Sequence, residues 1–149
     1  NTPVSWDAPF FGKIWTASNQ PDADLYYDPH MGHTGTRSVR ITVRGKEKKF
    51  SPGSGPTVHT EAGARYRVGA WIRTAGAVRA WVEGHEILFS IGKPVAVHAT
   101  PAVGAETEWT WVETSYVARG EDAPFMGLFL CADGTGKAWF DEVTFVPEE

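Results

Sequence analysis

The sequence predicts an all-β fold, a two-sheet antiparallel β-sandwich, on three observations. Apolar and polar residues alternate in short runs, as they do when a strand sends successive side chains to opposite faces. Glycine and proline clusters punctuate those runs at a spacing of about 8 to 12 residues. No stretch keeps a helical period over three turns, and 42% of the 149 residues are hydrophobic, with 7 Trp, 8 Phe and 4 Tyr, a composition that favours strands.

In chain order, residues 1–24 predict an opening strand followed by an irregular segment carrying Phe10, Phe11 and Trp15 over a sandwich edge. Tyr26 and Tyr27 begin a short strand that ends at Asp28 and Pro29, before the glycine-rich turn HMGHTGTRS. Val39, Ile41 and Val43 alternate with Arg40, Thr42 and Arg44, giving a strand with one buried face. The run RGKEKK at 44–49 reads as a solvated hairpin end, and 51–64 as a loop with one short strand around Val58.

The stretch 66–84, YRVGAWIRTAGAVRAWVEG, parses as a hairpin turning at TAGA. Its core faces are Tyr66, Val68, Ala70 and Ile72 on one arm and Val78, Ala80 and Val82 on the other. The opposite faces carry Arg67, Trp71, Arg73, Arg79, Trp81 and Glu83, where a solvated sheet face would be polar throughout. Residues 85–107 predict one or two strands broken at Gly92 and Pro94. Val112, Thr114 and Tyr116 then share a face opposite Trp111 and Glu113, with Trp109 assigned to the core. FMGLFLCA, a turn at DGTG and KAWFDEVTFV close the chain, with Trp139 and Phe140 assigned to packing.

Length bounds this to one domain, residues 1–149. No apolar run approaches a membrane span, and the chain, which opens at Asn1 without a signal peptide, reads as an excised module or a mature product. The lone Cys131 excludes an internal disulfide, and a net charge of -4 disfavours nucleic acid. GTGK lacks the remainder of a phosphate loop, Gly53 and Gly55 lack a third glycine, and no Ser sits in a nucleophile elbow.

Four features in order resemble the β-sandwich carbohydrate-binding modules appended to plant and algal polysaccharide-degrading enzymes, within the galactose-binding-like jelly-roll group. They are Asp28 followed by His33-x-Gly35-x-x-Ser38 and VRITV; YRVGAWIR; the strand from Trp109 to Tyr116; and GTGKAWFDEVTF. The chain differs from that group in its SWDAPFF opening and its long 84–107 segment. The resemblance implies two stacked sheets, one concave, that bind glycans without catalysis, in a monomer secreted or held at the cell surface or in the periplasm, attached to a catalytic domain. It also implies a structural calcium, with Asp141 the leading ligand, Asp7 or Asp28 beside it, and carbonyls near Gly35 and Arg37 completing the shell.

An aromatic ring binds the apolar C–H face of a pyranose, leaving the hydroxyls to polar groups at its edge. Trp71, Trp81 and Trp111 are therefore the candidate platform, flanked by Arg67, Arg73, Arg79, Glu83 and Glu113. The arginines can read neutral hydroxyls or pair with an anionic glycan, and the glutamates can instead neutralise them across strands. The expected function is non-catalytic binding of a neutral or anionic polysaccharide. The alternatives are an accessory sandwich packed on a neighbouring catalytic domain, and a small jelly-roll hydrolase or lyase, for which Glu83 and Glu113 would have to face each other across a cleft about 5 to 10 Å wide.

Overall fold

The computed structural model describes residues 4–6, 18–35, 37–45, 49, 57–88, 93–119 and 125–148. Nine strands cross them: β1 (Val4–Trp6), β2 (Ser18–Asn19), β3 (Ala23–Asp28), β4 (Ser38–Val43), β5 (Thr57–His59), β6 (Arg65–Leu88), β7 (Lys93–Ala99), β8 (Thr110–Val117) and β9 (Phe125–Glu148). Every pairing is antiparallel, and there is no helix among the described residues.

Strands β6 and β9 are 24 residues long and pair with each other from Arg65↔Glu148 to Ile87↔Phe125. Drawn out straight, each would span about 80 Å, whereas a compact chain of this size has a radius of gyration of only about 15 Å. The pair therefore folds over. It does so where Gly76, Gly134 and Gly136 take φ of 91°, 96° and 151°, conformations that glycine alone enters at little cost. Past this corner β6 lies back across itself: a Cβ on Gly84 would sit 3.4 Å from Val68 Cγ2.

One layer consists of β2, β3, β4, the C-terminal half of β9, the N-terminal half of β6 and β8, with β1 also on β9. The other consists of β5, the N-terminal half of β9, the C-terminal half of β6 and β7. The ladder runs unbroken around the corner, so both layers belong to one nine-stranded sheet folded on itself. Strands that change layers through bends are an established way to build a sandwich.

The core is as the alternation predicts. Tyr66, Val68, Ala70, Ile72, Val78, Ala80 and Val82 are buried, together with Val39, Ile41, Val43, Val112, Tyr116 and Phe140. A bulge opposite Gly69 and Trp71, with Glu142 at φ 48°, inserts one residue in β9. It lets Ala138 and Phe140 before it, and Val143 and Phe145 after it, all face inward.

Two expected turns are absent. TAGA and DGTG are the two sides of the glycine corner, so 66–84 is a single bent strand and its arms lie in different layers. Within 85–107, β6 continues to Leu88 and β7 follows. The segment after β7 then returns to the corner, where Val103 exchanges backbone hydrogen bonds of 2.8 and 3.0 Å with Ala80 and Glu106 Oε1 accepts the Gly76 N–H at 2.7 Å. The charge run is not merely solvated. Arg44 donates to Asp24 Oδ2 at 2.6 Å and to the Gln20 carbonyl at 2.9 Å, and Lys49 reaches Glu83; residues 46–48 lie outside the described residues, as do Phe10, Phe11 and Trp15.

Gly134 tests the corner directly, since a Cβ there would strike the Ala77 carbonyl at a φ that side chains avoid. Gly134→Ala is expected to lower stability by about 2–4 kcal/mol in urea unfolding. An unchanged midpoint would contradict the corner.

Candidate functional site

Because β6 changes layers, its outward residues fall on two separate surfaces. On the β5–β9–β6–β7 layer the register sets Arg79 beside Asp133, Trp81 beside Cys131, Glu83 beside Phe129 and His85 beside Gly127. β7 adds Val97 next to His85 and Ala99 next to Glu83, and Val97 is 50% exposed. Glu83, only 6% exposed, is the hub of this surface. Its carboxylate accepts from Lys49 Nζ at 2.7 and 2.9 Å and from Trp81 Nε1 at 2.7 Å, and lies 2.9 Å from His85 Nε2. Burial alone would raise its pKa, but the hydrogen bonds from Lys49, Trp81 and His85 outweigh that and hold it at about 2. Arg79 forks onto Asp133 at 2.7 and 3.1 Å with its guanidinium carbon 5.6 Å from the Trp81 ring centre. The His85 ring packs 4.1 Å from that of Phe129. The result is a half-buried indole held by its N–H on the same surface as the His85–Phe129 ring pair.

The opposite surface carries Trp71 paired with Trp111, and Glu113 paired with Gly69. Here the segment after Asp28 folds over the sheet. His33 stacks on Trp71 at 3.8 Å and 14° and meets Trp109 edge-on at 5.8 Å. Asp141 Oδ2 accepts the His33 and Thr34 N–H groups at 3.0 and 3.1 Å, and Oδ1 accepts that of Glu142 at 2.8 Å. Glu142 Oε2 lies 2.9 Å from both His33 Nδ1 and Thr34 Oγ1. Asp28 caps the turn through the His30 N–H at 2.9 Å and takes Trp139 Nε1 at 2.8 Å.

The eight candidate sugar-binding residues thus divide. Trp81, Arg79 and Glu83 come together on one surface; Trp71, Trp111, Arg67, Arg73 and Glu113 lie on the other. Trp71 is covered by His33 rather than presented. Trp109, assigned to the core, stands half-buried at the outer surface instead, because it precedes β8 and meets the His33 segment. Trp139 is packed as expected, but beneath that segment. Each arginine has a carboxylate partner: Arg67 with Glu113 and Glu148, Arg73 with Glu108, Arg79 with Asp133. Glu83 and Glu113 occupy opposite surfaces and cannot flank one scissile bond. His85, Phe129 and Lys49 escaped the sequence reading; continuing the alternation past Glu83 finds His85, whereas nothing local points Lys49 at Glu83.

Among the described residues no three His, Cys, Asp or Glu side chains stand together as metal ligands. Calcium takes six to eight oxygens, whereas both oxygens of Asp141 and of Asp28 face N–H donors. The Arg37 and Gly35 carbonyl oxygens lie close to Gly32, 2.6 and 3.1 Å from where a Cβ would stand. Asp7 lies outside the described residues. Asp141 is 1% exposed, and that burial raises its pKa despite its three N–H donors.

No protein-family model and no curated protein matches the chain. Solved structures match its fold. The N-terminal CBM22-1 and GH10 modules of Clostridium thermocellum endo-1,4-β-D-xylanase 10B, complexed with xylohexaose, superpose with a TM-score of 0.70 at 16% identity over 98% of this chain and 28% of that one. The CBM22-2 xylan-binding domain of Paenibacillus barcinonensis Xyn10C gives 0.61 at 13% identity over 99% of both chains. TmCBM61 in complex with β-1,4-galactotriose gives 0.58 at 15% identity over 93% of this chain and 94% of that one. The chain spans less than a third of the first of these. At such identities the likeness establishes the fold, a β-sandwich.

Two outcomes follow from the polar networks. Glu83 titrates below its ordinary 4.5, so its stabilisation is complete above pH of about 4.5 and drains as pH falls toward about 2. Glu83→Gln should therefore unfold well below the native chain in urea at pH 7, with the gap closing across that window; a constant gap contradicts the network. Asp141→Asn should cost about 1–3 kcal/mol while a chelator leaves the melting temperature unmoved. A chelator-induced drop would mean that an ion, not the amides, holds the His33 segment.

Proposed function

We propose that this chain binds a polysaccharide without catalysis, through the outer surface of the β5–β9–β6–β7 layer, and tethers an attached carbohydrate-active enzyme to its substrate. The observation that carries the reading is the Trp81 indole, fixed by its N–H to Glu83, itself held by Lys49 and His85. A ring already immobilised loses little entropy when a pyranose stacks on it, and the Arg79–Asp133 fork beside it supplies donors and acceptors for hydroxyls. A xylan-binding domain of the same fold, and structures of that fold in complex with xylohexaose and β-1,4-galactotriose, support the class of ligand.

The pairing of Arg67, Arg73 and Arg79 with carboxylates favours an uncharged glycan over an anionic one, because an anion would first have to displace an internal partner. Binding without turnover agrees with the state of Glu83. A general acid needs a raised pKa, and that of Glu83 is depressed. Secretion belongs to this reading, and so does a neighbouring catalytic domain, as in the xylanase that joins a CBM22 module to GH10.

Affinity in the micromolar to millimolar range is expected, roughly -4 to -8 kcal/mol, which suffices once the substrate is a polymer. In calorimetry against xylan, galactan and a polyuronate, Trp81→Ala should lose at least about tenfold, or about 1.4 kcal/mol, with the neutral polymers preferred. Equal binding by Trp81→Ala would remove the site, and binding to no glycan would favour an accessory sandwich packed on its neighbour.

A further inference from the structure

The two outer surfaces carry the same short device. Trp81-Val82-Glu83 on β6 and Trp111-Val112-Glu113 on β8 are one tripeptide used twice. In each, the valine enters the core and the flanking residues point out on one face, separated by about 6.6 Å along the strand. In each, the indole N–H donates to the carboxylate two residues on, at 2.7 Å for Trp81 and 2.9 Å for Trp111. In each, a cation from another part of the chain holds that carboxylate: Lys49 for Glu83, and Arg67 at 3.5 Å for Glu113.

Trp111 is fixed further by its seat. Its ring occupies the space of a side chain at Gly69, where a Cβ would strike Cζ2 and lie 2.8 Å from Cη2. One flank rests against Trp71 at 5.7 Å and 60°, and Trp71 is braced in turn by His33. The exposed part of the ring is bordered by Glu113 and Arg67, whose side chains are 45% and 42% exposed. A protein partner would need surrounding contacts that shut water out from such an anchor. A wet, charged rim around a fixed indole suits a sugar, whose ring stacks while its hydroxyls take the edge groups.

We propose that Trp111 is a second carbohydrate-stacking site, on the surface opposite Trp81, taking the same class of ligand, an uncharged pyranose chain, with Glu113 and Arg67 reading hydroxyls and Trp71 serving as backing. The proposal rests on Trp81 being a sugar-stacking residue. Two sites on opposite faces cannot be filled by one short oligosaccharide, so the module would join neighbouring polysaccharide chains and gain retention by multivalency.

Affinity electrophoresis of the whole chain through gels containing soluble xylan or galactan tests this, with the native protein, Trp81→Ala, Trp111→Ala and the double variant, each checked for folding by its melting curve. The expected result is partial retardation in both single variants and none in the double. Complete loss in Trp81→Ala with native behaviour in Trp111→Ala overturns the second site. The reverse pattern overturns the Trp81 reading and, with it, the proposal of two sites. Should Trp111→Ala fail to fold, Glu113→Gln keeps the ring but loosens its hold, and Trp81→Ala/Glu113→Gln should be retarded several-fold less than Trp81→Ala. Equal retardation of those two contradicts the proposal, and no retardation of the native chain in either gel contradicts both readings.

Discussion

The antiparallel pairing of β6 with β9 along their whole length is the constraint from which the rest of this structure follows. Two strands too long for the domain stay hydrogen-bonded to each other and bend together, which three glycines at positive φ permit. Bending as a pair keeps the two strands in register through the corner, which limits the number of backbone groups left without a partner there. It also means that one strand supplies inward residues to both layers and outward residues to both surfaces. The core closes because Val68 and Gly84, from the two halves of β6, meet inside it.

That constraint explains what the sequence discloses and what it conceals. Alternation placed Tyr66, Val68, Ala70, Ile72, Val78, Ala80 and Val82 of β6 correctly on the inward side, because side-chain parity survives a bend as well as it survives a turn. For the same reason it could not tell the two apart: TAGA and DGTG look like hairpin turns, and only pairing partners distant in sequence show that they face each other. Trp71 and Trp81, which share parity, therefore looked like neighbours on one sheet. The covering of Trp71 was equally hidden, since it depends on His33 and Thr34 finding Asp141 across more than a hundred residues. The legible signal that went unused is local, the repeated Trp-Val-Glu.

Polar groups on the two surfaces follow a common logic. Half-exposed indoles are held by carboxylates, the carboxylates by cations, and the long arginines by acids, so that little charge is left free. Where a segment crosses the sheet, backbone N–H groups take the place a cation would occupy at Asp141. Networks of this kind are costly when half-satisfied and rigidifying when complete. Their completeness around Trp81 is the feature on which the proposed weak, non-catalytic contact with a neutral sugar rests.

The most direct measurement is an NMR titration that follows the indole N–H resonances as xylohexaose or β-1,4-galactotriose is added. The Trp81 resonance should shift and saturate, while that of Trp139, committed to Asp28 beneath the His33 segment, stays in place as an internal control. A Trp81 resonance that remains fixed while others move, or that moves only with Trp139, would contradict the account.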